Sequence, residues 1–171
     1  MSTKLKFIAL SEKLDKTDVK ILNLLQSNSK ITNLELSKKI GLSPAPTLER
    51  VKKLEHSGVI QSYHAKVNPQ KVDLTISTFV LVNIAWNKAK ALENFVERIN
   101  KIDEVIECFV ITGDADIMLR VVCKNIASYE YLLFKQLSQI EEVERLKTLM
   151  CLSTVKSSNA LPIHPDGVDL D

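Results

Sequence analysis

Two groups of side chains in this 171-residue chain have the types and spacing needed to bind other molecules. The first group lies within 43–53, where serine, threonine, arginine and lysine alternate with alanine and glutamate. Arginine can bind guanine through two parallel hydrogen bonds, threonine can contact a base edge, and lysine commonly contacts phosphate. These residue types therefore indicate double-stranded DNA as a partner.

The predicted DNA contacts lie on one helix and on the segments that flank it. Side chains that face away from an apolar stripe of Leu48, Val51 and Leu54 are expected to reach the bases. This set contains Ser43, Ala45, Thr47, Glu49, Arg50 and Lys53, and the expected contacts to the DNA backbone are Lys38, Lys39, Gln61 and His64. The alternative reading of the same residues is an ordinary solvated helix face.

The second group is the stretch 112–116, which contains one glycine and two aspartates. Glycine allows the backbone to turn without a Cβ clash, backbone N–H groups can face a carboxylate, and aspartates can receive an ammonium group. A free amino acid carries both of those charges. On residue types alone, an ordinary hairpin with solvated aspartates is the favoured reading, because glycine and aspartate are common turn residues.

Three short helices are predicted to position the first group. Asp15 is a predicted N-cap for a helix over 16–26, and Thr32 begins a second helix with a capping box. The second helix ends at Gly41, and Ser43 offers its hydroxyl as the N-cap of a third helix that Gly58 closes. Two helices joined by a tight turn form a DNA-reading helix-turn-helix.

The apolar residues of these helices are expected to form one small core. Its predicted members are Leu22, Leu25, Leu36, Ile40, Leu48, Val51 and Leu54. The residues 59–67 alternate loosely between polar and apolar types, which we interpret as a two-stranded wing. Asn68 and Pro69 break this pattern and introduce a helical turn and a linker.

The second half of the chain predicts an α+β domain. Strands are expected over 75–86, 105–112, 116–123 and 143–156, with helices capped by Asn87 and Asn125. The order strand, helix, strand, strand, helix, strand is the ferredoxin-like βαββαβ arrangement, in which two helices cover one face of an antiparallel sheet. The other face would expose a broad apolar patch, and a second copy of the domain is the simplest cover.

Charge and composition favour binding over catalysis. Residues 1–74 hold 13 Lys or Arg against 7 Asp or Glu, whereas residues 75–171 hold 10 against 14, so only the first half suits phosphate contact. The three cysteines, Cys108, Cys123 and Cys151, stand singly and predict free thiols. We expect no metal, no cofactor and no enzymatic activity, because the three histidines are scattered and no phosphate loop occurs.

Domain limits follow from these patterns. We predict an N-terminal extension over 1–14, a winged helix-turn-helix over 15–67 and a linker over 68–75. A ferredoxin-like effector-binding and oligomerisation domain then covers 76–158, and a C-terminal tail covers 159–171. No apolar run is long enough to span a bilayer, so no membrane partner is expected and the predicted location is the cytoplasm.

Four stretches of the chain resemble the Lrp/AsnC family of transcription regulators, over about 14–163. They are LDKTDVKIL, GLSPAPTLERVKKLEHSGVI, ECFVITGDADIMLRV and LSTVKSSNALPI. The resemblance implies homodimers that commonly assemble as an octamer of four dimers and bind or wrap DNA. It also implies an amino-acid effector bound around the turn at a subunit interface, by Thr112, Gly113, Asp114 and Asp116 together with Ser153 and Thr154. The extension before Leu14 and the acidic tail at 166–171 depart from the family pattern.

These observations predict a sequence-specific DNA-binding transcription regulator that responds to a small effector through its oligomeric assembly. The expected effector is an amino acid. One alternative is an architectural DNA-wrapping protein without an effector. Another, from a different class, is a small-molecule enzyme on a ferredoxin-like scaffold.

Overall fold

The computed structural model describes residues 14–164, which fold into two compact units. Within the described residues, the first unit contains 14–65 and 156–164, and the second is Lys66–Val155. The predicted N-terminal extension and the acidic tail lie almost entirely outside the described residues. The chain therefore returns to its first unit after completing the second.

Three helices form most of the first unit. They are α1 (Lys16–Ser27), α2 (Asn33–Ile40) and α3 (Pro44–His56). Asp15 and Thr32 each accept a hydrogen bond from the third residue of the helix that follows, and each completes a capping box. Gly41 ends α2 with φ 79°, a left-handed conformation that favours glycine. These helix limits confirm the predictions.

The start of α3 differs in one detail from its prediction. Ser43 occupies the N-cap position, but its hydroxyl makes no capping hydrogen bond, so that part of the prediction is wrong. Pro44 supplies a helical φ at the first position instead, and the backbone N–H and the hydroxyl of Thr47 both donate to the Ser43 carbonyl. Gly58, with φ 76°, follows the last turn as predicted.

The core of the first unit contains Ile21, Leu22, Leu36 and Leu54, with Val51 partly buried beside them. The predicted core position of Leu48 is wrong, since this side chain is 43% exposed. Each residue turns an α-helix by about 100°. The buried stripe of α3 runs through Thr47, Val51 and Leu54, and Leu48 is rotated away from it.

No strand occurs within the segment 59–67, so the two predicted strands are not formed among the described residues. An isolated two-stranded hairpin is marginal in water, and contacts to α3 hold the segment instead. The Ile60 N–H donates to the Leu54 carbonyl, and the Tyr63 hydroxyl donates to Glu55 at 2.8 Å. Burial and the neighbouring Glu55 carboxylate raise the pKa of Tyr63 to about 12.

The described end of the chain packs on α1. Gln26 accepts a hydrogen bond from the Leu161 N–H at 2.6 Å and donates one to the Leu161 carbonyl at 3.2 Å. Ile163 packs against the helical core, and its carbonyl accepts from the Asn23 side chain. The part of the predicted tail that the structure describes is therefore an integral piece of the first unit.

A four-stranded antiparallel sheet with helices forms the second unit. Its elements are β1 (Ile76–Ile84), α4 (Ala91–Ile99), β2 (Val105–Val110), β3 (Ile117–Cys123), α5 (Ile126–Tyr131) and β4 (Val143–Met150). The strand order is β2-β3-β1-β4, and every pair is antiparallel. After α5 the chain continues as a π-helix (Leu132–Gln136) and a 3-10 turn (Leu137–Gln139). The predicted ferredoxin-like α+β fold is confirmed.

Two predicted limits in this unit are wrong. Asn87 does not cap α4, because consecutive turns occupy the residues after β1 and the helix begins only after Lys90, whose φ is 58°. β4 ends at Met150 and not at Lys156. Among the described strands it pairs only with β1, and in this register the first residue of β1, Ile76, lies opposite Leu152, so no strand partner is available further along. The Asn125 side chain accepts from the Ser128 N–H and caps α5 as predicted.

The sheet has one buried face and one partly open face. The side chains of Val80, Val82, Leu119 and Val121 face the helices and are fully buried with Phe95. Strand alternation directs Phe79, Leu81, Phe109, Met118 and Leu149 to the opposite side, which we call the outer sheet face. Phe109 and Leu149 remain 44% and 41% exposed there. No helix of the described residues is long and apolar enough to cross a membrane.

Candidate functional sites

The exposed side of α3 presents several of the predicted DNA contacts together. Ala45, Glu49 and Lys53 are exposed along this helix, and Ser43 is exposed immediately before it. The flanking residues Lys38, Lys39, Gln61 and His64 are also exposed in the same unit. The Asn33 side chain donates to the Pro44 carbonyl at 2.8 Å and so fixes the turn between α2 and α3.

Thr47 does not belong to this exposed surface. Its side chain is fully buried, and its hydroxyl donates to the Ser43 carbonyl at 2.8 Å. The predicted contact of Thr47 with a base edge is therefore corrected to a role inside the helical unit. The error follows from the choice of Leu48 as a core residue, because rotating the buried stripe by one residue exchanges the two positions.

Arg50 also faces α1 and not the exposed side of α3. Its guanidinium lies 2.6 Å from an oxygen of Asp15 and 2.8 Å from an oxygen of Asp18, whose side chain is only 12% exposed. The Asp18 backbone N–H and the Arg50 guanidinium together hold the pKa of Asp15 below its usual value. Arg50 thus fastens α3 to the capping box of α1, which corrects its predicted outward orientation.

Lys52 is a surface residue that the sequence reasoning missed. It is exposed on α3, and the structure places it on the side opposite the buried stripe, as it does Ala45 and Glu49. The spacing of Thr47, Val51 and Leu54 was the signal that could have identified it, since these three residues are four and three positions apart. A lysine on the exposed face is suited to contact phosphate.

The turn at 112–116 joins β2 and β3 as predicted. Gly113 has φ 124°, and the Ile111 N–H donates to the Asp116 carbonyl at 2.9 Å to close the turn. Thr112, Gly113 and Asp114 are exposed. The Asn83 side chain donates to the Asp114 carbonyl at 3.2 Å, which ties the turn to the end of β1.

Asp116 differs from its neighbours because its carboxylate is already engaged. The Ile84 N–H donates to it at 3.0 Å, and hydrogen bonds from the Trp86 side chain and from the Ile84 backbone hold the pKa of Asp116 below its usual value. Asn83 and Trp86 were missed by the sequence reasoning. The chain's single tryptophan, exposed at the end of a predicted strand, was the available signal.

We expect Asp116→Asn to lower the free energy of unfolding by about 1.5 kcal/mol at pH 7, because a neutral amide is a weaker acceptor for several donors. A carboxyl group with a lowered folded-state pKa stabilises the fold above its unfolded pKa, near 4, and loses that contribution as the pH falls through the folded value. Thermal unfolding at pH 7 and at pH 3 measures this. The difference in thermal midpoint between the variant and wild type should be smaller at pH 3 than at pH 7. An equal difference at both pH values would contradict the role of the charge.

Ser153 and Thr154 lie at the other end of the sheet from the turn. The Cys151 N–H donates to the Ser77 carbonyl at the beginning of β1, whereas Asp116 binds the Ile84 N–H at its end. The seven residue steps between Ser77 and Ile84 span about 23 Å. A single chain therefore does not bring the two predicted parts of the effector site together.

Each of the two units matches a known protein-family model. A family model described as the Lrp/AsnC ligand binding domain matches residues 77–161. A model described as a winged helix-turn-helix DNA-binding domain matches residues 14–61. The two matches follow each other along the chain in the same order as the two folded units.

Relatives and solved structures agree with that assignment. The leucine-responsive regulatory protein of Haemophilus influenzae is 40% identical over 86% of this chain and 89% of its own length. The protein of the same name from Escherichia coli K12 is 38% identical over 88% of this chain and 92% of its own.

Solved structures with similar folds include a transcriptional regulator from Neisseria meningitidis in complex with L-Met. It has a TM-score of 0.84 and 35% identity, covering 87% of this chain and 96% of that one. An AsnC family regulator from Agrobacterium tumefaciens has a TM-score of 0.82 and 33% identity, covering 87% and 97%. The relatives are regulators and not enzymes, as predicted.

Proposed function

The chain belongs to the Lrp/AsnC family of transcription regulators, and we propose that an amino acid controls its binding to double-stranded DNA by shifting its oligomeric assembly. In this proposal the first unit contacts DNA through α3 and the lysines around it. The second unit holds the effector and the contacts between subunits. The observation that carries the proposal is the exposed polar face of α3, set beside Lys38 and Lys39 in one helix-turn-helix.

The DNA contacts divide by chemistry. Lys38, Lys39, Lys52 and Lys53 are exposed cations suited to phosphate, whereas Ala45 and Glu49 have short or polar side chains suited to base edges. Arg50 supports this surface indirectly by holding α3 against α1.

We expect Lys52→Ala to weaken DNA binding and to reduce its dependence on salt. A lysine that neutralises one phosphate releases about one counterion, so the slope of log K against log salt should become shallower by about 0.9 for each chain that contacts the DNA. Fluorescence anisotropy with a labelled operator across a salt series measures both quantities. Lys20→Ala, which removes an exposed lysine from α1, is the matched control and should leave the slope unchanged.

The effector proposal rests on the turn that ends at Asp116. Asp114 is exposed, and no hydrogen bond or ion pair within the described residues engages its carboxylate, so it is available for an ammonium group. Gly113 and the backbone N–H groups around it can face a carboxylate. The complex of the Neisseria protein with L-Met supports an amino acid as the class of ligand.

We expect Asp114→Asn to weaken amino-acid binding about 10- to 100-fold, since a hydrogen bond to a charged group contributes about 1.5 to 3 kcal/mol. Calorimetric titration of the full chain with each of the twenty amino acids provides the measurement. The thermal midpoint should stay within about 1 °C of wild type, because the Asp114 carboxylate has no partner to lose. Wild-type protein that binds none of the twenty would favour the architectural alternative without an effector.

Two observations support assembly as the controlled step. The outer sheet face exposes Phe109 and Leu149, and the two predicted parts of the effector site lie at opposite ends of β1. A second copy packed on that face would bury its apolar side chains and could bring Ser153 and Thr154 of one chain to the turn of another. An amino acid bound at this site regulates assembly only if it binds one assembly state more tightly than the other. An octamer of four dimers and a cytoplasmic location stay predictions.

A further inference from the structure

A polar groove on the helix-covered side of the second unit has no role in the function proposed above. It runs between α4 and the segment that follows α5, and its volume is about 740 Å³. Its lining includes Asn94, Arg98, Lys135, Gln139 and Glu142, and none of the turn residues 112–116 contributes to it. The groove is therefore distinct from the turn.

Glu142, one of the residues that line this groove, is only 5% exposed. The Asn94 side chain donates to its Oε1 at 3.1 Å, but its Oε2 is buried and has no hydrogen-bond partner. Burying a carboxylate oxygen without a hydrogen-bond donor destabilises the fold. A ligand that donates a hydrogen bond to this oxygen would offset most of that desolvation free energy. Asn94 itself is exposed, and rotation of its side chain would open Glu142 to the groove.

The charged side chains in the remaining lining are three cations, Arg98, Lys101 and Lys135, and two carboxylates, Glu97 and Glu141. Arg98 and Lys135 are exposed and form no ion pair within the described residues, whereas Lys101 is paired with Glu97 at 3.1 Å. Lys135 belongs to the π-helix Leu132–Gln136. Short π-helical turns inside helices are frequent at functional sites, because they displace side chains from regular packing.

We propose that this groove is a second small-molecule site, which takes a zwitterion with its ammonium on Glu142 and its carboxylate on Arg98 or Lys135. One oxygen of the buried carboxylate lacks a donor, and Arg98 and Lys135 form no ion pair within the described residues, so the groove offers one partner to each charge of an amino acid. The volume exceeds that of a free amino acid, which leaves room for its side chain.

Calorimetric titration with the twenty amino acids tests this proposal on the full chain and on four variants. Glu142→Gln removes the buried charge while keeping the size of the side chain. Glu130→Gln is the matched control, because Glu130 is an exposed carboxylate on α5 that does not line the groove. Asp114→Asn removes the proposed site at the turn, and the fourth variant combines Asp114→Asn with Glu142→Gln.

Two binding events per chain are expected for wild type and for Glu130→Gln with at least one amino acid. Glu142→Gln should weaken one event at least tenfold, Asp114→Asn the other, and the double variant both. Equal binding by wild type and Glu142→Gln overturns the groove site, as does loss of all binding in Asp114→Asn. If Glu142→Gln abolishes all binding and Asp114→Asn binds as wild type does, the result supports the groove site and overturns the turn site.

Thermal unfolding keeps the test independent of folding defects. Without ligand, Glu142→Gln should unfold at the same temperature as wild type or higher, because the variant no longer buries an unpartnered charge. In the Asp114→Asn background, the bound amino acid should raise the midpoint, and adding Glu142→Gln should abolish that rise. A rise that persists in the double variant would overturn the proposal.

Discussion

Phe109→Asp is expected to separate the assembly and to lower DNA affinity by a hundredfold or more. Phe109 lies on the outer sheet face opposite Met118, and 44% of its surface is exposed in the single chain. If a second copy covers this face, the aspartate places an unpaired charge in the contact, at a cost of about 3 to 5 kcal/mol. A twofold interface contains the change twice.

The loss of DNA affinity follows from the loss of linked reading helices. Two linked DNA-binding units bind DNA about 10²- to 10⁴-fold more tightly than either unit alone. Separated chains lose this increase in affinity. Sedimentation velocity measures the assembly, and fluorescence anisotropy with an operator containing two half-sites measures affinity.

Phe134→Asp is the matched control for this experiment. Phe134 is comparably exposed, at 59%, but lies on the π-helix that follows α5 and not on the outer sheet face. It should keep the wild-type sedimentation coefficient and DNA affinity. A Phe109→Asp protein that sediments like wild type would refute the outer sheet face as the contact between subunits.

Arg50→Ala is expected to lower the free energy of unfolding of the helical unit by about 1 to 2 kcal/mol. The value lies between those of exposed and buried ion pairs, because Arg50 and Asp15 are partly exposed and Asp18 is nearly buried. Hydrogen exchange of the α1 amides reports this unit directly. A double-mutant cycle with Asp18→Asn should give a coupling energy of at least 0.5 kcal/mol.

DNA affinity should fall in Arg50→Ala while the salt dependence stays that of wild type. The guanidinium fixes the orientation of α3 and neutralises Asp15 and Asp18, so its loss should misplace the reading helix without removing a phosphate contact. This outcome separates Arg50 from Lys52, whose loss changes the slope. A slope that becomes shallower by about 0.9 for each DNA-contacting chain in Arg50→Ala would instead indicate direct phosphate contact.

The hydrogen bond from the Asp18 backbone N–H and the ion pair with Arg50 together make the stability of the helical unit depend on the protonation of Asp15. The pKa of Asp15 is lowered in the fold, so its contribution to stability is complete above the unfolded value near 4 and is lost as the pH falls through the folded value. Protection of the α1 amides against hydrogen exchange should therefore decrease below about pH 4 in wild type. The decrease should be smaller in Arg50→Ala.

Local signals in the sequence determined the helices of the first unit and the order of elements in the second. Capping boxes at Asp15 and Thr32, the helix end at Gly41 and the cap at Asn125 act within three or four residues, so the chain itself contains both partners of each interaction. The spacing of apolar residues is also a local signal, because it is read within each helix or strand, and it determined the ferredoxin-like order of elements.

Only the tertiary structure decided which side of α3 is exposed and which carboxylates are free. Leu48 and Thr47 differ by one position, and the packing of α1 and α2 selects threonine for the interior. Arg50 meets Asp15 and Asp18 across more than thirty residues, and Asp116 meets Ile84 across a similar distance. The type of a single residue does not indicate such a distant partner, so only the fold shows which of the predicted site residues are exposed and which are held by other side chains.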